Sequence, residues 1–183
     1  MHTLAALPPW LEKFWPIALL LVAISIVLYV LPKSDVTHST AYRRRRVMNW
    51  LPLGLTYAFL YMGRYNINVA KTMTDPETGL ALMTKADLGL ITVIGTTTYA
   101  VAFLINGPLT DRFGGRKTIL AAALGAAVAN FGMGWVLDSG YEGSLVGPFG
   151  SLYALNMYFQ SFGAVSIVKV NAHWFHVKER GTF

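Results

Sequence analysis

The stretch Gly107-Pro-Leu-Thr-Asp-Arg-Phe-Gly-Gly-Arg-Lys117 decides how the chain is read. It sets one acid among several bases in a turn between two long apolar segments. Its Gly-rich character invites comparison with a phosphate-cradling loop, yet the strand–helix setting such loops need is absent. Outward on both sides the chain is apolar. It has 183 residues, 54% hydrophobic and 13% charged, against about 25% charged in a soluble domain. Five apolar segments fall at about 14–32, 43–70, 86–108, 117–137 and 149–174. Each is near or above the roughly 20 residues that span a bilayer. Inside lipid every backbone amide must be satisfied within its own segment, so the expectation is all-α, a polytopic membrane helix bundle.

The net charge of +6 invites a nucleic-acid reading. Its distribution opposes one, because the bases sit at the ends of apolar segments and not along one face. Lys33, Arg43, Arg44, Arg45, Arg46, Arg112, Arg116, Lys117, Lys178 and Arg180 fall on one side of the alternating chain. Lys13, Lys71 and Lys85 fall on the other. The positive-inside bias then places loops 33–46 and 109–117 in the cytoplasm and the N-terminus outside. The sequence has no cysteine, hence no disulfide framework and no thiolate metal site. Its four histidines, His2, His38, His173 and His176, lack metalloprotease spacing. No nucleophile–base pair, Walker loop or metal-ligand set is visible. The reading is therefore a non-enzyme with no cofactor and no metal.

The first segment, at 14–33, has the look of a signal peptide. Its leader, however, places Glu12 beside Lys13, lacks a basic cluster and is followed by no small-x-small cleavage site. An uncleaved extra helix fits better, one that packs or anchors. The domains expected are 1–42, the extra helix with its linker, and 43–183, a four-helix core.

Arg64 is the costly residue. It lies near the far end of the second segment, and an arginine at a helix centre in lipid costs about 2.5–3.5 kcal/mol on insertion scales. At 100° per residue, Tyr57, Tyr61, Arg64 and Asn68 fall within about 60° on one polar stripe, with Phe59 and Met62 opposite. Arg64 follows Arg46 by 18 residues, about 27 Å of helix. Helical side chains lean towards the N-terminus, so the guanidinium reaches back towards the bilayer midplane instead of snorkelling outward. A planar fork that keeps its proton suits a dianionic phosphate. Thr92, Tyr99 and Asn106 share a face with Phe103 on the third segment. Lys169 and His173 share a face on the fifth, where Lys169 is within snorkelling reach of the cytoplasmic end. Asn156 and Gln160 are expected to bond between helices, and residues 121–134 to form a close-packing surface of small residues without chemical content.

The 107–117 stretch resembles the G-x-x-x-D-R-x-G-R-[RK] signature of the major facilitator superfamily, between that fold's second and third helices. Gly107, Asp111, Arg112 and Gly114 match; Gly115 stands where a base is usual, and Arg116 and Lys117 supply the charge after it. From residue 42 onward the chain is similar to the organophosphate:phosphate antiporter family, the group of glycerol-3-phosphate and hexose-phosphate transporters. The likeness is carried by YRRRR at 42–46, by Tyr57, Tyr61, Arg64 and Asn66, by ADLG at 86–89, by FQSFG at 159–163 and by HWFHVKERG at 173–181. The resemblance implies a partial N-terminal half of a major facilitator fold, truncated before its fifth core helix. The partner would then be the C-terminal half of the same protein.

It also implies a secondary transporter of a bacterial inner membrane that exchanges an organophosphate for inorganic phosphate by alternating access. In that family the two halves rock about a central site. Arg64 would anchor phosphate opposite a second arginine, with Tyr61, Tyr57 and Tyr99 lining the path. Gly107, Asp111, Arg112, Gly114, Arg116 and Lys117 would gate the conformational change; the residues themselves point the same way, since Asp111 can pair with arginines of its own loop or of a facing helix end and Gly107 can admit a close neighbour. Phe103 replaces a lysine of the glycerol-phosphate members, which favours a bulkier or less charged organophosphate. The partners implied are small organophosphate, inorganic phosphate and membrane lipid, with no nucleic acid. A membrane sensor for external sugar phosphate would carry the same binding face, and a small stand-alone scaffold of five helices is a third reading.

Overall fold

The computed structural model describes residues 9–30, 36–70, 72–75 and 78–180. His2, Lys33 and Lys71, used above for spacing and orientation, lie outside the described residues, as does the chain end at 181–183. Five long helices carry the fold: α1 (Pro9–Val30), α2 (Thr40–Tyr65), α4 (Lys85–Phe113), α5 (Gly115–Asp138) and α6 (Val146–Trp174). A single turn, α3 (Ile67–Ala70), follows α2, and a 3₁₀ turn at Val177–Glu179 follows α6. Among the described residues there is no strand, only an isolated bridge between Thr74 and Ala81. The all-α expectation holds.

The helices divide between two compact units, residues 38–174 and residues 1–37 with 175–183. In the latter, α1 is an apolar helix of 22 residues with Pro16 inside it. The turn after α6 is closed by a capping box between His176 and Glu179.

In the larger unit the helices start and stop for local reasons. Ser39 caps α2, its hydroxyl accepting from the Tyr42 amide at 3.3 Å. Thr84 and Asp87 form a reciprocal capping box at the start of α4, which satisfies two amides a helix N-terminus leaves orphaned. α4 runs through to Phe113, five residues past the expected end, so most of the 107–117 stretch is helix and not loop. Gly114 alone turns the chain between α4 and α5, at φ 86° and ψ 143°, a conformation that disfavours any residue with a Cβ.

α6 is the central post. Phe149, Tyr153, Met157, Phe162 and Gly163 on it are buried against the neighbouring helices. Glycines let those helices approach. A Cβ at Gly95 of α4 would lie 2.3 Å from the Tyr153 ring, and one at Gly125 of α5 2.1 Å from Phe159. Ala122, Ala126 and Ala129 are buried along the same side of α5. Small residues that admit close backbones are how membrane helices gain packing energy where lipid offers no hydrophobic contrast. The small-residue surface expected at 121–134 is therefore present.

Two expectations are corrected. At Gly107 no neighbour lies within 4 Å of the place a Cβ would take, so none of the described helices uses it for close approach. Asn68 departs from the polar stripe: it lies past the end of α2, in α3, and is exposed where Tyr57, Tyr61 and Arg64 are half-buried. Among the described residues, α4 and α5 are the helices long and apolar enough to cross a membrane by length and composition, with mean hydropathy 1.9 and 1.7 over their best windows. α2 and α6 carry polar groups within their length, and these build the site.

Candidate functional site

Arg64 sits in the last turn of α2, where α4 and α6 come together. Its Cζ lies 4.6 Å from the centroid of the Tyr61 ring and 4.6 Å from that of Tyr99. An arginine over a tyrosine face gains about 0.5–1 kcal/mol at an exposed site and about 2 kcal/mol when desolvated. Nε donates to Gln160 Oε1 at 3.0 Å. Among the described residues the guanidinium has no carboxylate partner. It is half-buried, while Phe59 and Met62 on the opposite face of α2 are 66% and 64% exposed. The cation therefore faces into the bundle with the tyrosines of its stripe, and the apolar face is left for lipid or other helices.

Of the tyrosines expected at the site, Tyr61 and Tyr99 touch Arg64 directly. Tyr57 stands one turn back, its ring edge-on to Tyr61 at 4.9 Å and the two hydroxyls 3.4 Å apart. Tyr99 in turn stacks on Phe103 at 6.2 Å. Asn106 and Thr92, placed on the same face by spacing, part from them. Asn106 is buried and donates to Ser161 Oγ at 2.6 Å and the Tyr158 carbonyl at 3.2 Å on α6. Thr92 is exposed and returns its hydroxyl to the Leu88 carbonyl.

Behind Arg64 runs a chain of amides that spacing on single helices did not bring out. Gln160 Nε2 donates to Asn156 Oδ1 at 2.8 Å. Asn156 Nδ2 donates to the Gly63 carbonyl at 3.3 Å. Asn130 of α5 donates to Asn156 Oδ1 at 3.3 Å and accepts from Asn66 at 3.0 Å. The inter-helix bonding expected of Asn156 and Gln160 is present. Residues 121–134 are not without chemistry, however, since Asn130 lies among them. The signal available was its cost: an amide mid-way along an apolar span needs partners.

The end of α2 has a tertiary cause. Where a helix stops, its last carbonyls lack amide partners. The Gly63 carbonyl takes Asn156 Nδ2, and the Arg64 carbonyl takes the Tyr153 hydroxyl at 3.4 Å. α6 thus caps α2 from the side.

At the other end of α4, Asp111 pairs with Lys169 of α6. The partner is a lysine and not an arginine of its own turn or of another helix end, because α4 remains helical through Asp111 and faces α6. The Lys169 side chain is 28% exposed and the Asp111 side chain 73%, so Lys169 has an ion-pair partner besides the interface. Arg112, Arg116 and Lys117 are exposed. Gly115, which stands where a base is usual, lies under α6: a Cβ there would come within 2.9 Å of the Ser166 carbonyl and of Val170. Beside it Thr118 and Ser166 share a hydrogen bond of 2.7 Å. A cleft of about 760 Å³ opens nearby between α2, α5 and α6, with Arg116, His173 and Trp174 among the residues that line it.

The family model of the Major Facilitator Superfamily matches residues 53–183, the span that holds Arg64, the Asp111 turn and α6. The chain belongs to the major facilitator superfamily. It is an integral membrane protein with that family's fold. Its relatives include "Membrane sensor protein UhpC" of Salmonella typhimurium, 29% identical over 150 residues. "Glycerol-3-phosphate transporter" of Bacillus subtilis is 28% identical over 151 residues. "Probable hexose phosphate transport protein" of Chlamydia trachomatis is 25% identical over 142 residues. These alignments cover 81%, 81% and 78% of this chain and 31%, 32% and 28% of the relatives, so the chain spans about a third of the length of the curated relatives it matches. They are the relatives that the likeness to the organophosphate:phosphate antiporter family implies. No solved structure matches the chain.

Proposed function

We propose that the complete protein exchanges an organophosphate for inorganic phosphate by alternating access, with Arg64 as the phosphate anchor. One observation carries this reading. A guanidinium lies half-buried among membrane helices, against the rings of Tyr61 and Tyr99 and, among the described residues, without a carboxylate partner. An arginine at a helix centre in lipid costs about 2.5–3.5 kcal/mol, and Arg64, half-buried in the last turn of α2, bears part of that cost. Hydrogen bonds to a charged group return about 1.5–3 kcal/mol each, so an oxyanion held by two of them offsets that cost. Tyr57, Tyr61 and Tyr99 hydroxyls supply further donors. Phe103, stacked on Tyr99, presents an apolar surface to the organic part of the substrate, in keeping with a hexose phosphate more than with the smaller glycerol phosphate.

In this reading domain 43–183 is the first part of the N-terminal half and 1–42 an accessory helix with its linker. A second cation from the C-terminal half of the same protein faces Arg64. Repulsion between the two holds the empty carrier, and bound phosphate or organophosphate relieves it, so exchange is obligatory. Gly107, Asp111, Arg112, Gly114, Arg116 and Lys117 form the gate. The pairing of Asp111 with Lys169 ties α4 to α6 in one arrangement and releases in the other. The protein sits in a bacterial inner membrane with its N-terminus outside and loops 33–46 and 109–117 in the cytoplasm. As a transporter it is no enzyme, and needs no cofactor.

A second reading is a membrane sensor for external sugar phosphate, favoured by the likeness to a relative named as a sensor. Vesicles reconstituted with the complete protein and loaded with phosphate separate the two. The transporter takes up labelled glucose 6-phosphate only when phosphate is inside. Saturable binding without uptake replaces it with the sensor, and absence of both overturns the phosphate reading.

A further inference from the structure

The surroundings of Arg64 dictate which edge of its guanidinium a ligand meets. The Tyr61 and Tyr99 rings lie against it at 4.6 Å. Gln160 Oε1 occupies Nε at 3.0 Å. The hydrogen-bonding edge left to an oxyanion is the terminal fork of the two Nη nitrogens. Resting on the reading of Arg64 as a phosphate anchor, we propose that Gln160 is its positioning residue, held in the required orientation by Asn156 and Asn130, and that it commits Arg64 to end-on, bidentate capture of a phosphoryl group.

The argument is one of donors and acceptors. A primary amide has one accepting and one donating end. Gln160 serves Arg64 only with its oxygen towards Nε, since a reversed amide would set donor against donor. Its nitrogen is fixed by Asn156 Oδ1 at 2.8 Å. Asn156 cannot reverse either, because its own nitrogen donates to the Gly63 carbonyl, a group that only accepts. Asn130 Nδ2 adds a second donor to Asn156 Oδ1 and is itself tied to the Ala126 carbonyl at 2.8 Å. Asn156 and Gln160 are 0% and 1% exposed, so water does not compete for these bonds. Two backbone carbonyls, on α2 and α5, therefore set the direction of every amide in the chain, which ends on Arg64. Satisfied polar networks favour a single arrangement, and the two amides nearest Arg64 in this one are buried. Since α2 also ends beside Gly63, the same contacts that stop the helix aim its arginine.

The test uses the complete protein, purified and reconstituted, with inorganic phosphate as probe. Gln160→Leu removes the acceptor and is expected to raise the phosphate KM about tenfold while kcat per folded molecule stays within about twofold. A residue needed only for packing would lower the amount of folded protein and leave KM alone. Gln160→Glu keeps the shape but gives Arg64 an ion-pair partner, and is expected to weaken phosphate-dependent thermal stabilisation at least about 100-fold in phosphate concentration. Phosphate KM and thermal stabilisation within about twofold of wild type in both variants overturn the proposal. Should Gln160→Leu fail to accumulate, Gln160→Glu decides alone. If Arg64→Ala loses phosphate while both Gln160 variants keep it, the positioning role falls and the anchor stands. A wild-type protein that neither binds nor exchanges phosphate overturns the anchor and the positioning role with it.

Discussion

Replacing Tyr99 by leucine strips one aromatic ring from the Arg64 guanidinium while leaving an apolar side chain of helical propensity in α4. The ring centroid lies 4.6 Å from Cζ, well inside the roughly 6 Å range of a cation–π contact. Such a contact contributes about 0.5–1 kcal/mol at exposed sites and about 2 kcal/mol when desolvated. Arg64 is half-buried, so a loss of about 1–2 kcal/mol is expected, or about 5–30-fold in phosphate affinity. Tyr61 on the same guanidinium, at an equal distance, remains and keeps the loss from being complete. Tyr99→Phe separates ring from hydroxyl: it retains the face and loses only the donor, so its KM should fall between those of wild type and Tyr99→Leu. The assay is phosphate-driven exchange in reconstituted vesicles, with KM compared across wild type, Tyr99→Phe and Tyr99→Leu. An unchanged KM in Tyr99→Leu would show that the ring does not hold Arg64 for the ligand and would refute the reasoning.

Three further outcomes follow from other contacts. Asp111→Lys and Lys169→Asp should each impair exchange while costing at most about 1 kcal/mol of stability, since the pair is partly exposed; combining them should restore exchange, and a double variant no better than either single one argues against the pairing. Gly95→Ala places a Cβ 2.3 Å from the buried Tyr153 ring, so thermal unfolding in detergent should reveal a loss of about 1–3 kcal/mol, and equal stability would contradict the α4–α6 packing. A single cysteine at Thr37 in the otherwise cysteine-free chain should react with a membrane-impermeant maleimide only after lysis; labelling of intact cells would reverse the proposed orientation.

Much of this was open to a reader of the sequence, for identifiable reasons. Apolar length marks a membrane helix whatever it packs against, and the charged 107–117 stretch marks the α4–α5 junction, although α4 runs on to Phe113. Arg64 and its tyrosines share one helix face, so a period of 3.6 finds them. What could not be read depends on contacts between helices. Asp111 and Lys169 lie 58 residues apart, and no local rule chooses that lysine over the nearby arginines. The stop at Asn66 has no glycine or proline to announce it, since Asn156 and Tyr153 of α6 cap the freed carbonyls. Reading Asn68 into the polar stripe assumed that α2 runs unbroken past Tyr65, whereas Asn68 falls in α3 and is exposed. Asn130 was hidden by its apolar neighbours, because its role appears only when α5 and α6 are placed side by side. Gly107 was assigned a close neighbour by analogy with other small residues, and the packing uses Gly95, Gly115 and Gly125 instead.

Equilibrium binding of inorganic phosphate to the purified complete protein, alongside its Arg64→Lys variant, bears most directly on the anchor. Lysine keeps the charge but loses the planar fork, the stacking between two rings and the Nε bond to Gln160. Saturable binding by wild type, weakened at least about 100-fold in Arg64→Lys, is the result expected. Equal affinity in the two proteins would contradict the account, for it would mean that phosphate is held somewhere other than at that guanidinium.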